Sequence, residues 1–210
     1  MLFRSEAVKS NYSESFQSKL INEPEYKQED VIIGQYKKTY ILIEKEDGLE
    51  IVDQHIAEER YIYEKLKASK NIDCQLLFIS DVIPISAADK DILDSNKEKL
   101  AIFGYDIDFI SDTEVIFRKV PQILSKIPPK DILADILENI SGDIDNIEEQ
   151  ILITTSCKAA VKGNDPLSFP EAQSLLDQLF ASANPYNCPH GRPTIVSITK
   201  YQIEKRFMRS

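Results

Sequence analysis

The feature that most constrains the fold is an abrupt change of hydrophobic period at Asp53. Ahead of it, VIIGQY, TYILIEK and LEIVDQ are rich in β-branched and aromatic residues and predict strands. Beyond it, IAEERYIYEKLK carries Ile56, Tyr63 and Leu66 near helical spacing. A strand is thus expected to run straight into a helix, with Asp53 as N-cap and Glu58 and Glu59 at the positive end of the helix dipole. Lys45-Glu46-Asp47-Gly48 separates the last two strands, and its Asp-Gly pair predicts a hairpin.

The middle third reads as a separate unit. CQLLFISDVIPIS is strand-like, and ADKDILDSNKEKLAIF is one amphipathic helix stopped by Gly104. YDIDFI and EVIFRKV form a hairpin across Ser111-Asp112-Thr113, and residues 129–140 form a helix entered through Pro129. Ser141 to Asn146 is polar and loop-like. The last third opens with a helix, NIEEQILITTSCKAAVK, ended by Gly163-Asn164. Ser168 and Glu171 have capping-box spacing for a second helix that ends near Asn184-Pro185. The loop YNCPHGRP, the strand TIVSIT and a short basic tail, YQIEKRFMR, follow. Residues 1 to about 28 are polar and aperiodic and read as a linker. Helices and strands mix without strict βαβ alternation, so the fold class is α+β.

Composition narrows the function. The formal net charge of −10 argues against a stand-alone DNA binder, because phosphate neutralisation needs clustered Lys and Arg. The longest apolar runs, of the QLLFI kind, fall far short of the ~20 residues of a membrane helix, and MLFRSEAVKS lacks a signal-peptide core. A soluble intracellular protein without a membrane partner is expected. The cysteines, Cys74, Cys157 and Cys188, are odd in number and not spaced as a disulfide framework, which puts metal or buried-thiol roles first.

Both histidines of the chain sit among potential ligands. His55 and Glu59 are four apart and share a helix face. Cys188 and His190 are two apart in CPHGRP, so an extended backbone puts them on one side, stiffened by Pro189 and Pro193. Zinc takes this donor set in a tetrahedron, and Cys157 is a further candidate. Each element also has an ordinary reading: a solvated helix face, dipole partners, a buried thiol for Cys157 and above all for Cys74. Spacing leaves open both whether a metal binds and whether it is structural or catalytic.

Three segments in order carry a resemblance. Asp53-Gln54-His55-Ile56-Ala57-Glu58-Glu59, continuing to Glu64, resembles the DQHA-x2-E-x4-E endonuclease motif of MutL-type mismatch-repair proteins, with Ile56 where the family has Ala. SCKAAVKGNDPLS and CPHGRP resemble the family's ACK-A-x-K and C-P-H-G-R-P segments. The likeness covers about residues 29–209. It implies a dimerisation subdomain made of residues 29–69 and 149–210 around the metal site, with an external α/β subdomain inserted at 70–148. It implies homodimerisation and metal-dependent nicking of duplex DNA, in a cytoplasmic, nucleoid-associated setting of bacterial type. His55, Glu59, Cys157, Cys188 and His190 would be metal ligands, with Asp53, His55 and Glu59 catalytic. Zn²⁺ would be structural or regulatory and Mn²⁺ or Mg²⁺ catalytic.

Gln54, Glu64 and Arg192 are supporting candidates. Glu64 lies roughly 140° and ~7.5 Å from Glu59 on an ideal helix, so it is expected in an ion pair beside the site. Arg192 either neutralises a phosphate or holds a structural ion pair. Gln75, Leu76, Leu77 and Phe78 resemble the family's sliding-clamp-binding segment, with Ser80 where Pro is expected. A DNA-encircling clamp would deliver an acidic nuclease to its substrate, and a MutS-type mismatch sensor would act through the full-length protein. The competing interpretation is a non-catalytic, zinc-stabilised module for dimerisation and clamp docking.

Overall fold

The computed structural model describes residues 31–69, 71–140, 146–160 and 166–209. The expected linker, the Gly163-Asn164 helix stop and most of the loop after Ile140 lie outside these residues. The β-rich start folds as an antiparallel meander of β1 (Val31–Tyr36), β2 (Tyr40–Lys45) and β3 (Gly48–Asp53). The late strand β8 (Ile195–Thr199) pairs with β3, so the sheet order is β1-β2-β3-β8. Alternation along β2 and β3 buries Ile41, Ile43 and Val52 on one face. That face packs on Ala57 of α1 (Gln54–Ala68) and on Ala172, Leu175, Leu176 and Leu179 of α6 (Phe169–Phe180).

The middle of the chain builds a second sheet on β7 (Glu114–Pro121), which pairs with β4 (Cys74–Leu76), β5 (Ile83–Pro84) and β6 (Asp106–Ser111). Leu93 and Leu100, on α2 (Ala87–Ser95) and α3 (Lys97–Ile102), share its core with Ile132 and Ile136 of α4 (Pro129–Ile140). Helix α5 (Ile147–Ala159) serves both halves. Its Ile151 enters the second core, while Leu152 and Ile153 pack on Ile62, Tyr63 and Leu66 of α1. This shared helix brings Cys157 alongside the first turns of α1.

The α+β class is observed, with four differences of detail. The β2–β3 loop is Glu46-Asp47, and Gly48 is already in β3, where a Cβ would lie 2.2 Å from the Ile198 carbonyl oxygen. Close strand approach and a φ of +157° both require glycine there. Only Cys74–Leu76 and Ile83–Pro84 of CQLLFISDVIPIS are strand. The helix expected over ADKDILDSNKEKLAIF breaks at Asn96, whose Nδ2 donates to the Ile92 carbonyl at 2.8 Å. The basic tail forms α7 (Lys200–Arg206), capped by a reciprocal Thr199–Gln202 box. Among the described residues, no helix is long and apolar enough to cross a membrane.

Candidate metal centre

The centre is built where β3 meets α1 and where the segment before β8 folds back over that junction. Asp53 is the N-cap of α1: its Oδ1 accepts from the backbone N–H of His55 at 3.0 Å and of Ile56 at 3.1 Å. The first turn holds no acidic residue, so Glu58 and Glu59 are not dipole partners there. Glu59 instead points inward one turn later and is fully buried.

CPHGRP is not extended. The Cys188 N–H donates to the Arg192 carbonyl and the Gly191 N–H to the Cys188 carbonyl, each at 2.9 Å. With Gly191 at φ +81°, this is a three-residue hairpin loop closed by a left-handed residue, a conformation that favours glycine. Asn187 bridges Pro193, and the Asp53 N–H donates to the Thr194 carbonyl at 3.1 Å. The loop is thereby fastened to the start of α1. A turn, and not the expected extended backbone, brings Cys188 and His190 together.

Glu59, Cys188 and His190 offer one ligand atom each, all within 4.8 Å of one another. Neighbouring ligands of a tetrahedral zinc stand about 3.4–3.8 Å apart, so the set closes on an ion with shifts of about 1 Å. Carboxylate, thiolate and imidazole are also the donor types zinc takes, and the residues fit the ion. His190 Nδ1 lies 2.8 Å from Glu59 Oε1, and Arg192 Nη2 donates to Glu59 Oε2 at 2.6 Å. Because a carboxylate only accepts, Nδ1 carries the hydrogen, and in the neutral ring Nε2 is then the atom with a lone pair for a ligand. Glu59 thus serves either as a ligand or as the carboxylate that orients His190.

Cys157 and His55 lie outside this trio and line a neighbouring cavity of about 430 Å³ together. Burial, and secondarily the Glu59 carboxylate, raise the Cys157 thiol above its ordinary pKa. The Arg192 guanidinium is held above its usual value chiefly by its hydrogen bond with Cys188, and next by Glu59. Of the two roles expected for Arg192, the ion pair is the one seen in the geometry, with Glu59 at 2.6 Å.

A sequence profile described as the MutL C-terminal dimerisation domain matches residues 33–167. The chain belongs to the MutL family. It is 42% identical over 186 residues to the DNA mismatch repair protein MutL of Agathobacter rectalis, covering 85% of this chain and 28% of that protein. It is 34% identical over 208 residues to the MutL of Clostridium perfringens, covering 96% of this chain and 31% of that protein. It is 38% identical over 183 residues to the MutL of Thermoanaerobacter pseudethanolicus, covering 85% and 30%. The chain therefore spans under a third of the length of these MutL relatives.

The remaining predicted residues fall around the centre or away from it. Gln54 is buried and accepts from Gln35 Nε2. Glu64 is outside the trio and pairs with Arg60 at 3.0 Å. Arg60 is buried, and its Nε donates to the Asn187 carbonyl at 2.6 Å, immediately before Cys188. Arg60 was not foreseen; its place in the motif helix, four residues before Glu64, was the available signal. Of the residues expected to bind a clamp, Gln75 and Leu76 lie in β4, Leu77 packs on the second core, and Phe78 is 92% exposed. Lys126, on the cavity wall, was also unforeseen.

Proposed function

We propose that the chain is a metal-dependent endonuclease domain of DNA mismatch repair that nicks duplex DNA as a homodimer. The observation that carries this reading is the convergence of Glu59, Cys188 and His190 beside the Asp53 N-cap, with His55 and Cys157 on the adjoining wall. The trio suits Zn²⁺, and Asp53, Glu59 and His55 would serve Mn²⁺ or Mg²⁺. When bound, such ions polarise a phosphate and acidify water.

The chain's own side chains have separable tasks. Both N-cap bonds of Asp53 go to Oδ1, leaving Oδ2 to orient the attacking water. The Glu59 carboxylate fixes the His190 ring through Nδ1. Arg192 balances the charge of the Glu59 carboxylate at the centre. Glu64 acts through Arg60, which ties the ligand-bearing loop to α1.

Delivery to DNA falls to partners. The protruding Phe78, with Gln75 and Leu76 on the same edge segment, supports docking to a replication sliding clamp. The family's dimerisation description and the apolar outer face of the first sheet support self-association. A MutS-type sensor would act through the full-length protein, in the bacterial cytoplasm at the nucleoid. The exposed sheet of the first and last thirds would be the dimerisation part, and the sheet of the middle third the external part.

The test is nicking of supercoiled plasmid with Mn²⁺, with and without clamp, by wild type and Asp53→Asn. Clamp-stimulated nicking by wild type and its loss in the variant are expected. No nicking under any condition, with zinc bound and the dimer intact, would instead favour a non-catalytic, zinc-stabilised docking module.

A further inference from the structure

The cavity beside the metal centre has a wall the endonuclease motif does not supply. On one side are His55 of α1 and Cys157 and Lys158 of α5; on the other are Lys126, Pro128 and Asp131, from the segment that enters α4. Two of the three fixed charges on this wall are already compensated. Lys158 Nζ pairs with Asp135 at 2.5 Å, and Asp131 stands in the first turn of α4, against the positive end of that helix. Lys126 is exposed and has no ion-pair partner among the described residues. In a chain of net charge −10, this leaves at the cavity mouth, next to candidate ligands, one cation with no ion-pair partner among the described residues.

We propose that this cavity seats a backbone phosphate of the DNA strand, neighbouring the scissile one, and that Lys126 contacts it. The inference rests on the endonuclease reading. A phosphodiester is the ligand that chemistry favours: it is anionic, it is repeated along the substrate, and its contacts set register without reading sequence. Holding the adjacent phosphate limits how far the scissile group can wander from the ligands, which is an orientational contribution to rate. The pairing of Lys158 with Asp135 keeps the cavity floor near neutral, so affinity stays low and the domain depends on a delivered substrate. Lys126 lies in SKIPPK, and Pro128 and Pro129 stiffen the backbone behind it.

The experiment measures anisotropy of a labelled duplex with the zinc-loaded 210-residue chain, without added Mn²⁺ or Mg²⁺, across a salt series, for wild type, Lys126→Ala and Lys126→Arg. Lys126 is exposed, so neither change disturbs a core. Lys126→Ala is expected to weaken binding several-fold and to lower the salt slope by about 0.9, the value of one phosphate contact. Lys126→Arg is expected to restore both. Identical affinity and slope in Lys126→Ala and wild type would overturn the proposal, as would a wild type with no duplex affinity at the lowest salt. Displacement of the duplex by inorganic phosphate beyond that of chloride at equal ionic strength, abolished in Lys126→Ala, is expected of a phosphate seat; a Lys126-dependent effect that chloride reproduces in full would overturn it. Plasmid nicking with Mn²⁺ runs beside these arms. A wild type that binds through Lys126 but never nicks would remove the endonuclease reading and leave the phosphate seat standing.

Discussion

At the residue scale, the two cysteines near the centre are not equivalent. Cys188 is buried, sits in the trio with Glu59 and His190, and is held by a hairpin loop whose geometry depends on Gly191. Cys157 comes from another helix, is outside the trio, and is kept toward the neutral thiol by burial and by the nearby Glu59 carboxylate. An ion in the trio needs the Cys188 thiolate directly, whereas Cys157 joins only if the ion draws it in and displaces its proton. Cys188→Ala is therefore expected to abolish stoichiometric zinc, and Cys157→Ala to weaken zinc roughly 10- to 100-fold, as loss of a peripheral partner does. Competition with a chromophoric chelator measures both. Equal loss in the two variants would place Cys157 in the first coordination sphere with Cys188.

At the scale of elements, the junction of β3 and α1 combines a structural and a chemical role in one side chain. Asp53 caps the helix that presents His55 and Glu59, so its removal threatens both. Asparagine caps as well as aspartate, and alanine does not; the cap is worth about 0.5–2 kcal/mol. Asp53→Asn is expected to keep the melting temperature of wild type, and Asp53→Ala to lower it. A nicking defect in Asp53→Asn without a melting shift would then belong to the carboxylate and not to a frayed helix. This junction was legible in the sequence because the hydrophobic period changes there, and α4 and the Ser168–Glu171 box were legible for similar local reasons. Where local rules compete with one another or with pairing partners, legibility ended. Asn96 breaks a continuous amphipathic pattern by donating to the Ile92 carbonyl, and β4 ends at Leu76, with one further bond from the Leu77 N–H to the Arg118 carbonyl of β7. Within the site, the spacing of Cys188 and His190 predicted proximity for a different backbone reason. The contact of His190 with Glu59, 131 residues earlier, followed only from both being potential ligands. Nothing periodic or motif-like marks Lys126, because a surface lysine acquires its meaning from the cavity it borders.

At the scale of the whole molecule, the first sheet has one covered face and one open face. Ile41, Ile43 and Val52 turn toward α6 and α1; by alternation Tyr40, Leu42 and Ile51 turn the other way, with Val196 opposite Ile51. Tyr36 at 57% and Val196 at 52% exposure extend this apolar surface to both edge strands. A single-layer sheet with apolar residues on both faces calls for a second layer, and a second copy of the chain supplies one that is apolar in the same places. Leu42 sits on β2, inside the sheet, and opposite Ile51, so a charge there would be buried and unpaired in a face-to-face dimer but solvated in a monomer. Leu42→Asp is thus expected to halve the mass measured by light scattering, while unfolding of the resulting monomer remains cooperative because Ile41 and Ile43 still face the core. A dimer of unchanged affinity would exclude this face as the interface and move self-association to the sheet edges or to α7 and the residues after it, where Tyr201, Phe207 and Met208 are exposed. The geometry favours the face. β3 carries Ile51 on its open side and ends at Asp53, so a partner covering this sheet would stiffen the strand from which the metal centre is hung.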